Sequence, residues 1–109
     1  MHTLILLAAL SSHITFNTTR DGELYTITPQ VLLAEDCLCQ VQILAKRRGQ
    51  SGDSTTQQRK TYHFVANKPT DLMRLTLNIA PRDSVDIQVT VSDGQALHLS
   101  QRWTSTEML

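Results

Sequence analysis

The fold of this chain is decided by one regular stretch, Val85-Asp86-Ile87-Gln88-Val89-Thr90-Val91. Its apolar and polar residues alternate strictly, and period-two alternation is typical of a β-strand with one buried face. Weaker forms of the pattern occur at residues 14–17, 25–27, 37–45, 57–65, 75–79 and 97–99. Seven short strands in about 100 residues, with no helical period of useful length, predict an all-β fold. Among all-β folds, an immunoglobulin-like seven-stranded β-sandwich fits best.

Turn residues separate these stretches. Asp21-Gly22 and Asp93-Gly94 are hairpin signals, and the glycine-rich segment Gly49-Gln50-Ser51-Gly52-Asp53 predicts a loop. Pro29 interrupts the second strand, and proline cannot donate to a strand ladder, so an edge position or a bulge is expected there. The predicted strands therefore follow one another through short connections.

The composition limits the class of protein. A chain of 109 residues suits a single domain. Ten basic and ten acidic residues balance, so nothing suggests binding to nucleic acid, and no second long apolar stretch predicts insertion into a membrane. We expect a monomer.

The N-terminus resembles a short secretory signal. An apolar run from Leu4 to Leu10 precedes Ser11-Ser12, which is the order of parts in a signal peptide. No Lys or Arg precedes the run, so the first strand of a cytosolic protein stays open as an alternative. We expect a signal segment at residues 1–8 with cleavage between 8 and 11, the sandwich at 9–103, and a frayed C-terminal tail at 104–109.

Cys37 and Cys39 are the only cysteines and share one strand. Residues two apart on a strand point to the same face, with Cα atoms about 6.6 Å apart. This is near the upper limit of about 6.8 Å for a disulfide. The pair is therefore either a candidate redox pair or two core residues beside Val41 and Ile43. The neighbouring Glu35 and Asp36 would disfavour a thiolate.

Basic residues concentrate in the middle of the chain. Pairing of the third and fourth strands across the glycine loop would place five cations on one surface: Lys46, Arg47, Arg48, Arg59 and Lys60. Such a surface would attract acidic partners and accelerate encounter. Alternatively, these charges only protect an exposed sheet edge from aggregation.

No catalytic arrangement is evident. The four histidines have no ligand spacing with one another or with the cysteines, so no metal site is expected. No nucleophile motif and no glycine-rich phosphate loop occur. We expect a protein that is not an enzyme and needs no cofactor, with thiol exchange at Cys37 and Cys39 as the one open chemical activity.

Several segments together resemble the curli assembly protein CsgC family. They are the strand from Cys37 to Leu44, the hairpin from Val89 to Gln95, the segment from Leu97 to Gln101, and the N-terminal segments Leu7 to Ser12 and Ile14 to Thr19. The resemblance covers nearly the whole chain and diverges most between Lys46 and Lys60. It implies a periplasmic sandwich in the curli system that keeps an amyloid subunit from polymerising inside the cell. The family's Cys-x-Cys matches Cys37 and Cys39, for which redox activity has been proposed.

The resemblance leads to three functional hypotheses. The first is inhibition of curlin polymerisation through transient contacts steered by Lys46, Arg47, Arg59 and Lys60. These four residues are inferred from charge and are not carried over from the family. The second is periplasmic thiol–disulfide exchange, and the third is an adaptor that docks on the curli export apparatus through a strand edge.

Overall fold

The computed structural model describes residues 12–50 and 52–105, which form eight strands and no helix. The strands are β1 (His13–Asp21), β2 (Leu24–Leu32), β3 (Cys37–Gly49), β4 (Gly52–Phe64), β5 (Thr70–Asp71), β6 (Leu75–Asn78), β7 (Ser84–Ser92) and β8 (His98–Thr104). The predicted count of seven is wrong because the two-residue β5 carries no alternation that a sequence pattern would reveal. The predicted signal segment at residues 1–8 lies outside the described residues.

The strands form two antiparallel sheets. In the first sheet β2 pairs with β1 on one side, and with both β5 and β6 on the other. The second sheet has the order β4-β3-β7-β8. The all-β class is confirmed, and the two sheets are consistent with a β-sandwich. The immunoglobulin-like assignment within this class stays a prediction.

One hydrophobic core lies between the sheets. Strand β7 contributes Val85, Ile87, Val89 and Val91, all at most 2% exposed, as their strict alternation predicts. Opposing residues come from β2, where Tyr25, Ile27 and Val31 are buried. Each such aliphatic side chain stabilises the fold by about 1.5–3 kcal/mol through removal from water. The alternation in the sequence thus identifies the face of each sheet that packs inward.

Pro29 lies in a central strand, so the predicted edge position is wrong. It pairs with Phe16 of β1 on one side. On its other side the neighbour of β2 changes from β6 to β5, and the Leu72 N–H donates to the Pro29 carbonyl at 2.8 Å. The missing proline donor therefore falls where the ladder is already interrupted.

Strands β3 and β4 form the longest pairing among the described strands. Thirteen consecutive residues of β3 pair with thirteen of β4, from Cys37 opposite Phe64 to Gly49 opposite Gly52. Strand β3 continues through the basic run to Gly49, and β4 begins at Gly52. The predicted loop from Gly49 to Asp53 is therefore too long, since only two residues separate the strands. Gly52 adopts φ 127°, which L-residues rarely adopt. We call the paired strands β3 and β4 the ribbon.

The folded part of the chain extends closer to the C-terminus than predicted. Strand β8 includes Thr104, and Ser105 is buried at 7% exposure. Its N–H donates to the Val85 carbonyl at 3.0 Å, and its hydroxyl accepts from the Val85 N–H at 2.9 Å. The predicted frayed tail from residue 104 is therefore wrong for Thr104 and Ser105, and residues 106–109 lie outside the described chain.

Candidate functional site: the edge of the ribbon

The ribbon brings the basic segments together but divides their charges between its two faces. Directly paired residues point to the same face, and neighbours along a strand point to opposite faces. Lys60 is opposite the buried Val41 and therefore lies on the inner face, whereas Arg59 is opposite Gln42 on the outer face. The expectation of one surface with five cations is wrong, because adjacent residues cannot share a face of a strand.

Lys46 and Arg47 divide in the same way. Lys46 is opposite Thr55 on the outer face, four positions along the ribbon from Arg59 and therefore about 13 Å away. Arg47 is on the inner face, opposite Ser54 and six positions from Lys60. The four candidate residues thus lie as one pair of cations on each face.

Arg47 is the only one of these four cations with an ion-pair partner among the described residues. Its Nη2 lies 3.1 Å from Oδ2 of Asp83, in the turn between β6 and β7. On the opposite face of β3, Lys46 is opposite Asp86 of β7, and Asp86 pairs with Arg102 at 3.2 Å. Arg47 therefore links β3 to the turn between β6 and β7, whereas Lys46 forms no ion pair with a described residue.

Arg59 and Lys60 are adjacent unpaired cations on strand β4. Both are exposed, and neither forms an ion pair with a described residue. Lys60 Nζ lies 5.2 Å from the centre of the Tyr62 ring, close enough for a cation–π contact. These two neighbours present positive charge on both faces of strand β4, which is the edge of its sheet.

A cleft opens on the inner face beside Arg59 and Lys60. It has a volume of about 340 Å³, and the residues that line it are Val41, Ile43, Gln58, Arg59, Lys60, Tyr62 and Met73. Met73 is 37% exposed, whereas Val41 and Ile43 are buried. Met73 and Tyr62 were not predicted as site residues. Met73 falls between the short strands β5 and β6, where no alternation indicates which way a side chain points.

Cys37 and Cys39 form a disulfide with a Cα–Cα distance of 5.4 Å. It lies at the end of the ribbon away from the turn, and Cys39 is directly opposite Tyr62 of the cleft. Cys39 is fully buried and Cys37 is half-buried, while Leu38 between them is 71% exposed on the other face. Cys37 borders a groove of about 360 Å³ that Glu35, Asp36 and Asp93 also line. One sulfur therefore belongs to the core, and the other adjoins an acidic groove.

The described part of the chain offers no metal centre. No group of three or more His, Cys, Asp or Glu side chains is placed to hold a metal ion among residues 12–50 and 52–105. Over the same residues, no helix is long and apolar enough to cross a membrane. The features of the ribbon edge are thus charge, an exposed strand and an apolar cleft.

Comparison with known proteins assigns the family. The family described as "Thin aggregative fimbriae synthesis protein" (Tafi-CsgC) matches residues 5–103. The chain belongs to the CsgC family. It is 62% identical over 103 residues to the curli assembly protein CsgC of Escherichia coli K12, covering 94% of each chain. It is 61% identical to the same protein of Salmonella typhimurium LT2, covering 94% of this chain and 95% of the other.

Solved structures agree with the fold of this CsgC-family chain. The structure titled "E. coli curli protein CsgC - SeCys" has a TM-score of 0.83 and 60% identity, covering 85% of this chain and 98% of the other. The solution structure of R. palustris CsgH has a TM-score of 0.63 at 13% identity, covering 83% of this chain and 90% of the other. The second likeness bears on the fold alone. The predicted family membership is confirmed.

Proposed function

We propose that this protein is a periplasmic curli assembly factor that delays amyloid polymerisation of the curlin subunit through transient, electrostatically steered contacts. The observation that carries the proposal is the unpaired positive charge of Arg59 and Lys60 on the exposed edge of the ribbon. Membership in a family of curli assembly proteins supplies the biological setting. The proposal assigns no enzymatic activity.

The placement of the charge suits a transient contact. Exposed charges on a strand edge accelerate encounter with an acidic chain, and they contribute little to the lifetime of the complex. Fast and weak association would let few copies act on many client molecules. An amyloid grows by adding strands to an exposed ladder, so repeated brief contacts with early oligomers would lengthen the lag before growth.

Amyloid-dye kinetics of purified curlin subunit tests the proposal. A small molar fraction of the wild-type protein should lengthen the lag, and the double variant Arg59→Gln, Lys60→Gln should lose most of that effect. The matched control is Lys68→Gln, Arg82→Gln, which removes the same charge at exposed positions outside the ribbon. Equal lags with the two double variants would contradict a specific role for the ribbon edge.

The disulfide does not favour the alternative of thiol–disulfide exchange. Exchange requires an accessible sulfur and a stabilised thiolate. Cys39 is 0% exposed, and Glu35 and Asp36 immediately precede the pair. The redox role of the pair and a contact with the curli export apparatus stay predictions, and neither is needed for the proposed inhibition.

A further inference from the structure

Strand β4 has an unused backbone edge of unusual length. Among the described residues it pairs only with β3, and that pairing runs for thirteen positions without a bulge. All residues from Gly52 to Thr61 are exposed, and the strand contains no proline. Natural sheets usually shorten, bend or interrupt such edges. This edge carries charges but none of those backbone devices.

The hydrogen bonds of β7 establish which backbone groups of the second sheet point in which direction. In an antiparallel ladder both the N–H and the C=O of a residue point to the same neighbouring strand, and the direction alternates along the chain. The Ser105 N–H donates to the Val85 carbonyl at 3.0 Å, so odd-numbered residues of β7 bond toward β8. Even-numbered residues of β7 therefore bond toward β3, in which Leu44 is opposite Gln88.

The same alternation identifies the free groups of β4. Because even-numbered residues of β3 bond to β7, its odd-numbered residues, such as Ile43, bond to β4. Ile43 is opposite Gln58, so even-numbered residues of β4 bond inward to β3. The residues of β4 that direct N–H and C=O groups away from the sheet are Asp53, Thr55, Gln57, Arg59, Thr61 and His63.

The cleft lies where the side chains of an added strand would fall. A strand paired with the free edge would lie about 4.8 Å beyond β4, and alternate side chains would point to the inner face. That face presents Lys60 and Tyr62, beside the apolar wall of Val41, Ile43 and Met73. Strand addition of this kind obtains affinity from main-chain bonds and specificity from pockets for alternate side chains.

Charge selects the chemistry of the added segment. From Ser54 to His63 the edge carries Arg59 and Lys60 and no carboxylate. These two cations point to opposite faces, so acidic side chains on either face of an added strand find a partner. The segment that fits is extended, bears carboxylates, and alternates them with apolar side chains that enter the cleft.

We propose that β4 and the adjoining cleft bind an extended acidic–apolar segment of the amyloid-forming chain by adding it as a further strand to the sheet. This inference rests on the proposed function for the identity of the partner. The bound segment would have its own backbone groups paired with the odd-numbered residues of β4. While bound, it would be unavailable for stacking on another amyloid strand.

Amide hydrogen exchange followed by NMR tests the backbone pairing directly. The probes are the monomeric curlin subunit and a synthetic peptide in which valine and glutamate alternate. When about nine-tenths of the protein is bound, exchange at Thr55, Gln57, Arg59 and Thr61 should slow by about tenfold, because only the free fraction exchanges. The amides of Thr56, Gln58 and Lys60, which already bond to β3, should change little. The proposal is overturned if exchange slows equally at the odd-numbered and even-numbered amides of β4, or if it does not slow at all.

A matched pair of variants removes one outward donor without changing charge. Gln57→Pro deletes an N–H that points away from the sheet, where an edge strand tolerates proline. Gln57→Ala removes the same side chain and keeps the N–H. Binding of both probes should weaken at least tenfold with Gln57→Pro and stay within about twofold with Gln57→Ala. Equal binding by the two variants overturns strand addition. Thr55→Pro with Thr55→Ala repeats the comparison if Gln57→Pro disturbs the core amides.

The two proposals fail in different ways. If the wild type does not delay curlin polymerisation, the proposed function fails, and the synthetic peptide still tests strand addition. If the wild type delays polymerisation but the odd-numbered amides gain no protection, strand addition fails and the proposed function stands. If the same protection arises in the protein alone at high concentration, the occupant of the edge is a second copy, which overturns the assignment to a client.

Discussion

Arg47 and Asp83 form an ion pair that fastens the ribbon to the rest of the fold. Their Nη2 and Oδ2 atoms are 3.1 Å apart, and the same carboxylate oxygen accepts the Ala80 N–H at 3.1 Å. The Asp83 side chain is 8% exposed, whereas that of Arg47 is 37% exposed. One carboxylate therefore closes the turn between β6 and β7 and holds the distal end of β3.

Removal of this carboxylate should destabilise the protein. We expect Asp83→Ala to lower the free energy of unfolding by about 1–3 kcal/mol, because the buried acceptor of two hydrogen bonds is lost. Urea denaturation measures the change. Asp53→Ala is the control, since Asp53 is exposed on β4 and should cost less than about 0.5 kcal/mol. Similar losses for the two variants would contradict the role of Asp83.

Gly49 lies so close to the same carboxylate that a side chain at this position would collide with it. A β-carbon at this position would lie 2.5 Å from Oδ1 of Asp83. Gly49→Ala should therefore displace Asp83 and lower the free energy of unfolding by about 1–3 kcal/mol. In an Asp83→Ala background the same substitution should cost much less, because the clashing atoms are gone. Additive losses in this double-mutant cycle would refute the explanation.

Ser105 should contribute to stability although it lies near the C-terminus. Ser105→Ala leaves the Val85 N–H without its acceptor in a buried position. The expected loss in the free energy of unfolding is about 1–3 kcal/mol, measured by urea denaturation. Ser54→Ala, at an exposed position on β4, should have almost no effect. An unchanged stability for Ser105→Ala would show that the hydroxyl is dispensable.

The disulfide should be dispensable for inhibition. Cys39 is opposite Tyr62 of the cleft, but it is a fully buried core residue that presents no surface to a partner. We expect the double variant Cys37→Ala, Cys39→Ala to lengthen the curlin lag as much as the wild type does, provided that its circular dichroism shows an intact fold. Loss of the lag in a folded variant would instead move the function onto the cysteine pair.

Side-chain alternation made the buried core residues predictable from the sequence, but it did not show which strands lie at the edges of the sheets. The alternation of Val85 to Val91 identified the buried face of β7, because burial on one face is what the pattern records. The prediction of an edge position for Pro29 was wrong because strand β2 tolerates proline at a gap between its partner strands β5 and β6. That gap cannot be read from the sequence of β2 itself. The charges of Arg59 and Lys60 were found, but the expectation of one shared surface overlooked that adjacent strand residues point to opposite faces. Which of the two lies on the inner face depends on register. The register brings Gly49 directly opposite Gly52, whereas the sequence predicted a loop from Gly49 to Asp53.

The cleft beside β4 could not be predicted from local patterns. Met73 comes from the segment between β5 and β6, whereas Val41 and Tyr62 come from the ribbon in the other sheet. Their proximity results from the packing of the two sheets, which no local pattern encodes. The disulfide could be anticipated from the sequence because Cys37 and Cys39 share a face of one strand. Their Cα–Cα distance was overestimated because a regular strand was assumed.

If charge steers the encounter with curlin, inhibition should depend on ionic strength, and amyloid-dye kinetics measures this dependence. Curlin subunit would be followed alone and with a small molar fraction of the wild-type protein, from low salt to about 1 M, where the screening length falls to about 3 Å. We expect a long lag at low salt that shortens toward the curlin-alone value as the salt concentration rises. An extension of the lag that is the same at all salt concentrations, or no extension at low salt, would contradict it.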